Sequence, residues 1–569
     1  MKGVRLTVVI ATVITLLLSL SALTACVHIH RYRQEVASEV YLATEATCKR
    51  KATYYYSCKC GEKGSETFEY GDYDHEFGFD ENCKDCRPTY GLKYRLNDDR
   101  QSYNLVDIGT ATDSNIIVIA GLYNGKPVSG IGERAFESCI NVKSVTIPKS
   151  VTSIGENAFY GCSALSDIEI PDSVTTIGDF AFSECDGLIS FTIPDSVTTI
   201  GDYAFYECKS LTGIRLSDRI KTVSNYMLGN CQSLTSITIP NSVTALGNCA
   251  FEGCTALTSI TIPKGVTSIG KSTFSGCTAQ ILWDNEPTEI SDYVFRGYAG
   301  TSITMPDSVL SIGRGVFENC SNVTSISIPN GVKSIGARAF TNCSGLSDIT
   351  IPDSVTSIGE RAFSDCSGLT DISLPDSVKT IESFLFEGCV NLVNITIPDS
   401  ITEIGERAFS DTGYYNDEAN WENGLLFMGK YLIAADTELS GDCIIKDGTL
   451  LIADCAFAQS SGLTSITIPD SVTSIGARAF ANCRSLTGII IPQSVKSIGD
   501  YAFVGCTAFA AVYFNGIAKE WDKIDFDFNE QDFPNTTVYF YSENPPTNEG
   551  DYWHYDTDGV SPVIWQKEQ

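Results

Sequence analysis

The chain has 569 residues, with 39 basic against 70 acidic side chains and a formal charge of −31. That length implies several domains or one long repeat array, and so negative a balance repels nucleic-acid phosphates and anionic membrane surfaces. The histidines are His28, His30, His75 and His554, so histidine-dependent hydrolases, His-ligated metal centres and histidine general bases are excluded from residues 76–553.

Residues 1–25 read as an export signal. Lys2 and Arg5 precede an apolar run from Leu6 to Leu23, which ends in Leu23-Thr24-Ala25-Cys26. The alternative reading is an uncleaved membrane anchor, since about 18 apolar residues is near the minimum for spanning. The small residues before a cysteine resemble the lipobox of a bacterial lipoprotein signal. That resemblance implies lipidation of Cys26 and a chain held by its lipid on the extracellular side of a bacterial cell envelope.

Residues 26–90 form a small Cys/His-rich module. Cys58-Lys-Cys60 and Cys83-Lys-Asp-Cys86 are chelating pairs, and His75 lies between them. A structural zinc on Cys58, Cys60, Cys83, Cys86 and His75 is one reading. Disulfides are the other, favoured by export, although Cys48 makes the thiol count odd once Cys26 is lipidated. Either would staple a domain too small to hold itself.

Residues 91–130 read as a leading cap, and a 23-residue repeat follows over residues 131–412 and 451–506. Cysteines recur at 139, 162, 185, 208, 231, 254 and 277, then at 320, 343, 366 and 389, and at 483 and 506. Thr412 and Ser460 hold the same place, and an aromatic stands three residues earlier in nearly every copy. The clearest copy runs from Leu463 to Pro469, on to Gly476 and then to Cys483. Counting degenerate copies gives about sixteen.

Each copy has a physical reading. Ile466 and Ile468 alternate with Ser465 and Thr467, the period of a half-buried strand. Pro469 ends that strand and Asp-Ser turns the chain. Val472 and Ile475 begin a second inward stretch. Gly476 permits a left-handed or tight backbone before a short helical turn that buries Ala479, Phe480 and Cys483. One such unit cannot bury its own apolar face, so neighbours must stack into a solenoid. The registered thiols read as small core fillers, since parallel Cβ vectors sit too far apart for disulfides. Cys249 and Cys455 lie off that ladder and are expected to be partly exposed, and Cys443 lies near enough in sequence to bridge to Cys455.

The motif Leu-x-x-Ile-x-Ile-Pro-x-x-Val-x-x-Ile-Gly-x-x-Ala-Phe-x-x-Cys resembles the BspA-like type of leucine-rich repeat, over about residues 118–515. The fold expected is therefore a repeat solenoid, a leucine-rich-repeat arc with a β-rich C-terminal cap. Residues 413–450 form a hairpin-like insertion similar to one common in that family. Members are bacterial and protist surface proteins, and the resemblance implies binding of host or neighbouring-cell proteins. Ser217 in place of proline and the shortened copy Gln280–Tyr298 depart from the pattern and suggest local changes of curvature.

Residues 507–569 close the array as a cap and tail, with Trp553 and Trp565 in an aromatic hairpin faintly similar to choline-binding repeats. The expected function is non-enzymatic: a lipid-anchored surface protein that binds a protein or extracellular-matrix ligand, with no nucleic acid. Tyr160, Tyr203, Tyr206 and Tyr226 are candidate anchors on the array, Tyr203 and Tyr226 half in the core. Two alternatives stand beside it: an envelope spacer without a ligand, and a carbohydrate-binding lipoprotein that uses Trp553 and Trp565.

Overall fold

The computed structural model describes residues 88–526, 536–547, 550–557, 559 and 561–565, together with the strands Leu42–Thr44, Ala52–Ser57 and Lys63–Tyr70. These three early strands form an antiparallel sheet. The rest is a solenoid of about nineteen coils. The ladders run past the sixteen motif copies, because Tyr103–Asp107 at one end and Ala511–Asn515 and Thr537–Tyr541 at the other pair with the array in parallel register.

Each coil carries two short strands, and equivalent strands of successive coils pair in parallel. Ser325–Ser327 pairs with Asp348–Thr350, aligning Ile326 with Ile349, and Ser334–Ile335 pairs with Ser357–Ile358. The isoleucines are buried while the flanking Ser, Thr and Asp face outward. Pro329 closes the turn between the strands by accepting from Val332 N–H at 3.1 Å.

The third side of the coil differs from the helical turn expected. It is a run of β-turns with left-handed residues four apart, such as Arg338 (φ 59°) and Asn342 (φ 58°). Alternate N–H groups leave the coil: Arg338, Phe340 and Asn342 donate to Glu360, Ala362 and Ser364 of the next one at 2.7–2.9 Å. An α-helix directs all its N–H groups back along itself and cannot do this. The described helices, Gly413–Asn416, Glu418–Asn420 and Ala518–Trp521, lie in the insertion and the cap.

Phenylalanine forms the spine. Phe317, Phe340 and Phe363 are fully buried and stack at centroid distances of 5.2 and 5.0 Å. Leu228 interrupts the stack, and Met227 beside it takes the place alanine holds in most coils, so volume moves by one position. The thiols do more than fill space. Cys162, Cys343 and Cys366 each donate Sγ–H to the carbonyl of the Phe in the preceding coil at 3.0 Å. All sixteen described cysteines are free, Cys443 and Cys455 included. Cys249 is buried and Cys455 half-buried. In the shortened copy Tyr298 occupies the thiol position, buried, with its hydroxyl on the Ala279 carbonyl at 2.8 Å.

The repeated glycine serves close approach. A Cβ on Gly476 would lie 2.5 Å from Asp454 N, and on Gly336 2.6 Å from Gly313 C. Neither has a positive φ. Bare Cα atoms let Gly336 and Gly359 donate N–H to Ile312 and Ile335 of the preceding coil at 2.8 Å. Ser224, Ser291 and Glu382 stand at the same position and, among the described residues, make no such backbone bond. At those three coils the second sheet breaks. Ala453 follows the inserted hairpin and keeps its bond to Leu432 at 2.9 Å.

Glu382→Gly should therefore close a break. We expect slower hydrogen exchange of the residue-382 amide and a higher urea midpoint, while Gly336→Ser should open a new break and cost about 1–3 kcal/mol. In the spine, Leu228→Phe alone should overpack by a similar ~1–3 kcal/mol. Adding Met227→Ala should recover most of that loss in the same urea titration.

Candidate functional site

The residue two places before each spine Phe sits at the outer corner of the turn run with a left-handed backbone. Phe180, Tyr203 and Tyr226 occupy it in successive coils at φ 54°, 58° and 53°. A bulky side chain is unusual there, and left-handed backbone costs roughly 1–2 kcal/mol per residue. Ring stacking along the array offsets part of it: Phe180–Tyr203 at 4.5 Å and Tyr203–Tyr226 at 4.4 Å, both nearly parallel. All three residues are half-buried.

Tyr206 stands edge-on to this stack, 5.4 Å from Tyr203 and 6.2 Å from Tyr226. Its oxygen accepts from Asn230 Nδ2 at 3.0 Å. Tyr160 lies outside the stack and donates its hydroxyl to Glu184 at 2.6 Å, a bond to a carboxylate that raises the phenol pKa. Tyr206 therefore belongs to one aromatic surface with Tyr203 and Tyr226, and Tyr160 is tied to an acidic neighbour.

Farther along, the same column becomes cationic. Arg361 lays its guanidinium 3.9 Å above the Phe384 ring, and Glu387 holds both Arg361 (2.9 Å) and Arg407 (3.0 Å). Glu387 is only 16% exposed, so the three charges form a fixed cluster. Neither Phe180 nor this Arg–Phe–Arg group was anticipated from the sequence. Aligning the coils on their Phe and reading two places back would have found both, because that column holds Phe180, Tyr203, Tyr226, Tyr293, Phe384 and Tyr501.

One titratable group stands apart. Asp454 accepts from Ala477 N–H at 2.7 Å, as Asp179, Asp202, Asn225 and Asn248 accept from their following coils. Burial, with Glu403 and Glu406 nearby, pushes its pKa up to about 7. The fold thus holds a proton that the unfolded chain releases near pH 4. Stability from this group is complete below that pH and is lost as pH rises through about 7. The urea midpoint of the wild type should fall between about pH 4 and 7, and Asp454→Asn should flatten that fall.

The C-terminal aromatics pack inward. Trp553 is 0% exposed, with Nε1–H on the Phe514 carbonyl at 2.9 Å and its ring against Tyr541 and Tyr555. It caps the last coils, and its ring is not offered to a ligand. Trp565 is half-buried, bonded to the Ser542 carbonyl at 2.9 Å with its ring 4.0 Å from His554. Cys26, Cys58, Cys60, His75, Cys83 and Cys86 lie outside the described residues. Among the described residues no group of three or more metal-ligating side chains converges, and no helix is long and apolar enough to cross a membrane.

The family model of the BspA type leucine rich repeat region matches residues 129–256, 175–283, 288–416 and 437–529. Among solved structures, the chain is similar to a leucine-rich repeat protein from Bacteroides ovatus. The two are 24% identical over 79% of this chain and 98% of that one, with a TM-score of 0.40. A leucine rich cell surface protein from Faecalibacterium prausnitzii is 24% identical over 78% and 98%, with a TM-score of 0.34. The pneumococcal vaccine antigen PcpA is 16% identical over 80% and 93%, with a TM-score of 0.33. No curated protein compared with the chain matches it.

Proposed function

Since this chain belongs to the BspA-type leucine-rich repeat family, we propose that it is a non-enzymatic recognition protein of the bacterial cell surface, lipid-anchored through Cys26. Its ligand is a protein of a host, a neighbouring cell or the extracellular matrix, bound along the outer side of the solenoid. The observation that carries this reading is the half-exposed stack Phe180–Tyr203–Tyr226 with Tyr206 against it. Tyrosines supply much of the binding energy at interfaces. These rings are already held by their neighbours and by fixed backbone, so a partner orders little when it docks on them. The net charge of −31 speeds encounter with a basic partner.

Weak contacts spread over other coils add to this patch, in keeping with a broad interface that has an apolar centre and a polar rim. Burial of Trp553 removes one of the two rings on which a sugar would stack, which leaves the protein-binding reading the stronger.

The test is surface plasmon resonance with the full chain in detergent micelles against a panel of matrix and cell-surface proteins. We expect low-micromolar or tighter binding to at least one of them. Tyr203→Ala/Tyr226→Ala should weaken it tenfold or more, about 1.4 kcal/mol. A spacer would bind nothing at that concentration, and an undiminished double variant would remove the aromatic stack from the interface.

A further inference from the structure

The first sheet is interrupted between Asp167–Ile168 and Ser190–Thr192. One three-stranded ladder ends at the former and the next begins at the latter. The two coils stay joined elsewhere: Thr198 donates to Thr175 at 2.9 Å in the second sheet region, and Phe182 to Ala204 at 2.8 Å across the turns. Only one wall of the solenoid opens there. Phe191 takes the inward strand position that isoleucine holds in most coils, and its larger ring is wedged 5.1 Å from Phe182 and 4.9 Å from Phe205. Ile189, just before it, is 62% exposed.

The opening is a cleft of about 820 Å³, within the ~300–1,000 Å³ of ordinary ligand sites. Ile168, Ile170, Phe191 and Pro194 supply the smaller, apolar part of its lining, and the larger part is polar and charged. Ser196 marks the separation independently. Ser173, Ser354 and Ser494 at the same repeat position each donate to a valine carbonyl of the preceding coil at 2.6 Å. Ser196 Oγ is buried in the cleft lining without a partner.

Charge narrows the occupant. Of the two lining arginines, Arg215 is already satisfied by both oxygens of Asp195, at 3.0 and 3.1 Å, and Arg219 lies within electrostatic reach of the same carboxylate. Glu169 and Asp172 also line the cleft and make no ion pair among the described residues. We propose that the cleft receives an extended peptide segment of the recognised partner, carrying a lysine or arginine. The segment adds as a strand along Ser190–Thr192 and sets its cation against Glu169 and Asp172. A strand edge supplies main-chain hydrogen bonds to any sequence, and the flanking side chains choose among sequences. This rests on the recognition role proposed above and names the part of the partner that enters the array.

The test pans a random heptapeptide display library on the full chain and measures synthetic copies of enriched peptides by fluorescence anisotropy. Enriched peptides should be β-branched with at least one basic residue, and their binding should slow hydrogen exchange at Ser190–Thr192. Glu169→Lys/Asp172→Lys changes only exposed positions and should weaken binding tenfold or more. Phe191→Ile, checked for folding by circular dichroism, should close the cleft with a similar loss. Peptides without basic residues, equal binding by both variants, or a second copy of this chain occupying the cleft would overturn the proposal. If Glu169→Lys/Asp172→Lys still binds the protein partner unchanged, the cleft is excluded while the broader reading stands. If neither peptides nor proteins bind the chain, both fall together.

Discussion

Everything in this molecule depends on how closely one coil may approach the next. Backbone meets backbone on every side, through two strand ladders and a third set of bonds across the turns. Side chains are admitted only where they replace or extend such bonds. Serine after the proline turn, aspartate or asparagine after the glycine, and cysteine after the phenylalanine each bond main-chain groups of an adjacent coil. Polar residues that would weaken a smaller core are therefore put to use in most coils, satisfying a main-chain group one coil away. Stacked rings then fill what remains.

Much of this was legible in the sequence. A period of 23 with proline, phenylalanine and cysteine in fixed places leaves a stacked array as the only way to bury so many short apolar sets. Other features were misread for identifiable reasons. The segment from Gly476 to Cys483 has the composition of a helical turn, but composition does not reveal that alternate N–H groups are claimed by a neighbour. The glycine signals either unusual dihedrals or tight clearance, and only coordinates separate the two. Tyr298 escaped notice because it replaces a thiol with a side chain of quite different size, and it fits because its hydroxyl reaches a carbonyl.

The recognition surface was half legible. Tyr203, Tyr206 and Tyr226 were named from the sequence and belong to the aromatic patch, yet Phe180 was not, and the patch is organised by a column that repeat consensus treats as variable. Columns that build the core announce themselves by sameness. Columns that face outward carry the differences between coils, and their meaning emerges only when left-handed backbone and stacking place Phe180, Tyr203 and Tyr226 side by side. Trp553 is the opposite case: a conspicuous aromatic in the C-terminal cap reads first as a seal for the array, with glycan binding as the alternative, and its buried ring does seal it.

The replaced glycines also bear on how such a chain carries load. Ser224, Ser291 and Glu382 divide the second sheet into segments of three, four and two strands along its middle stretch. Under tension each joint has fewer bonds to shear than the coils within a segment. A filament held at one end and tugged at the other would then lengthen in discrete steps, shedding segments while those beyond each joint keep their shape.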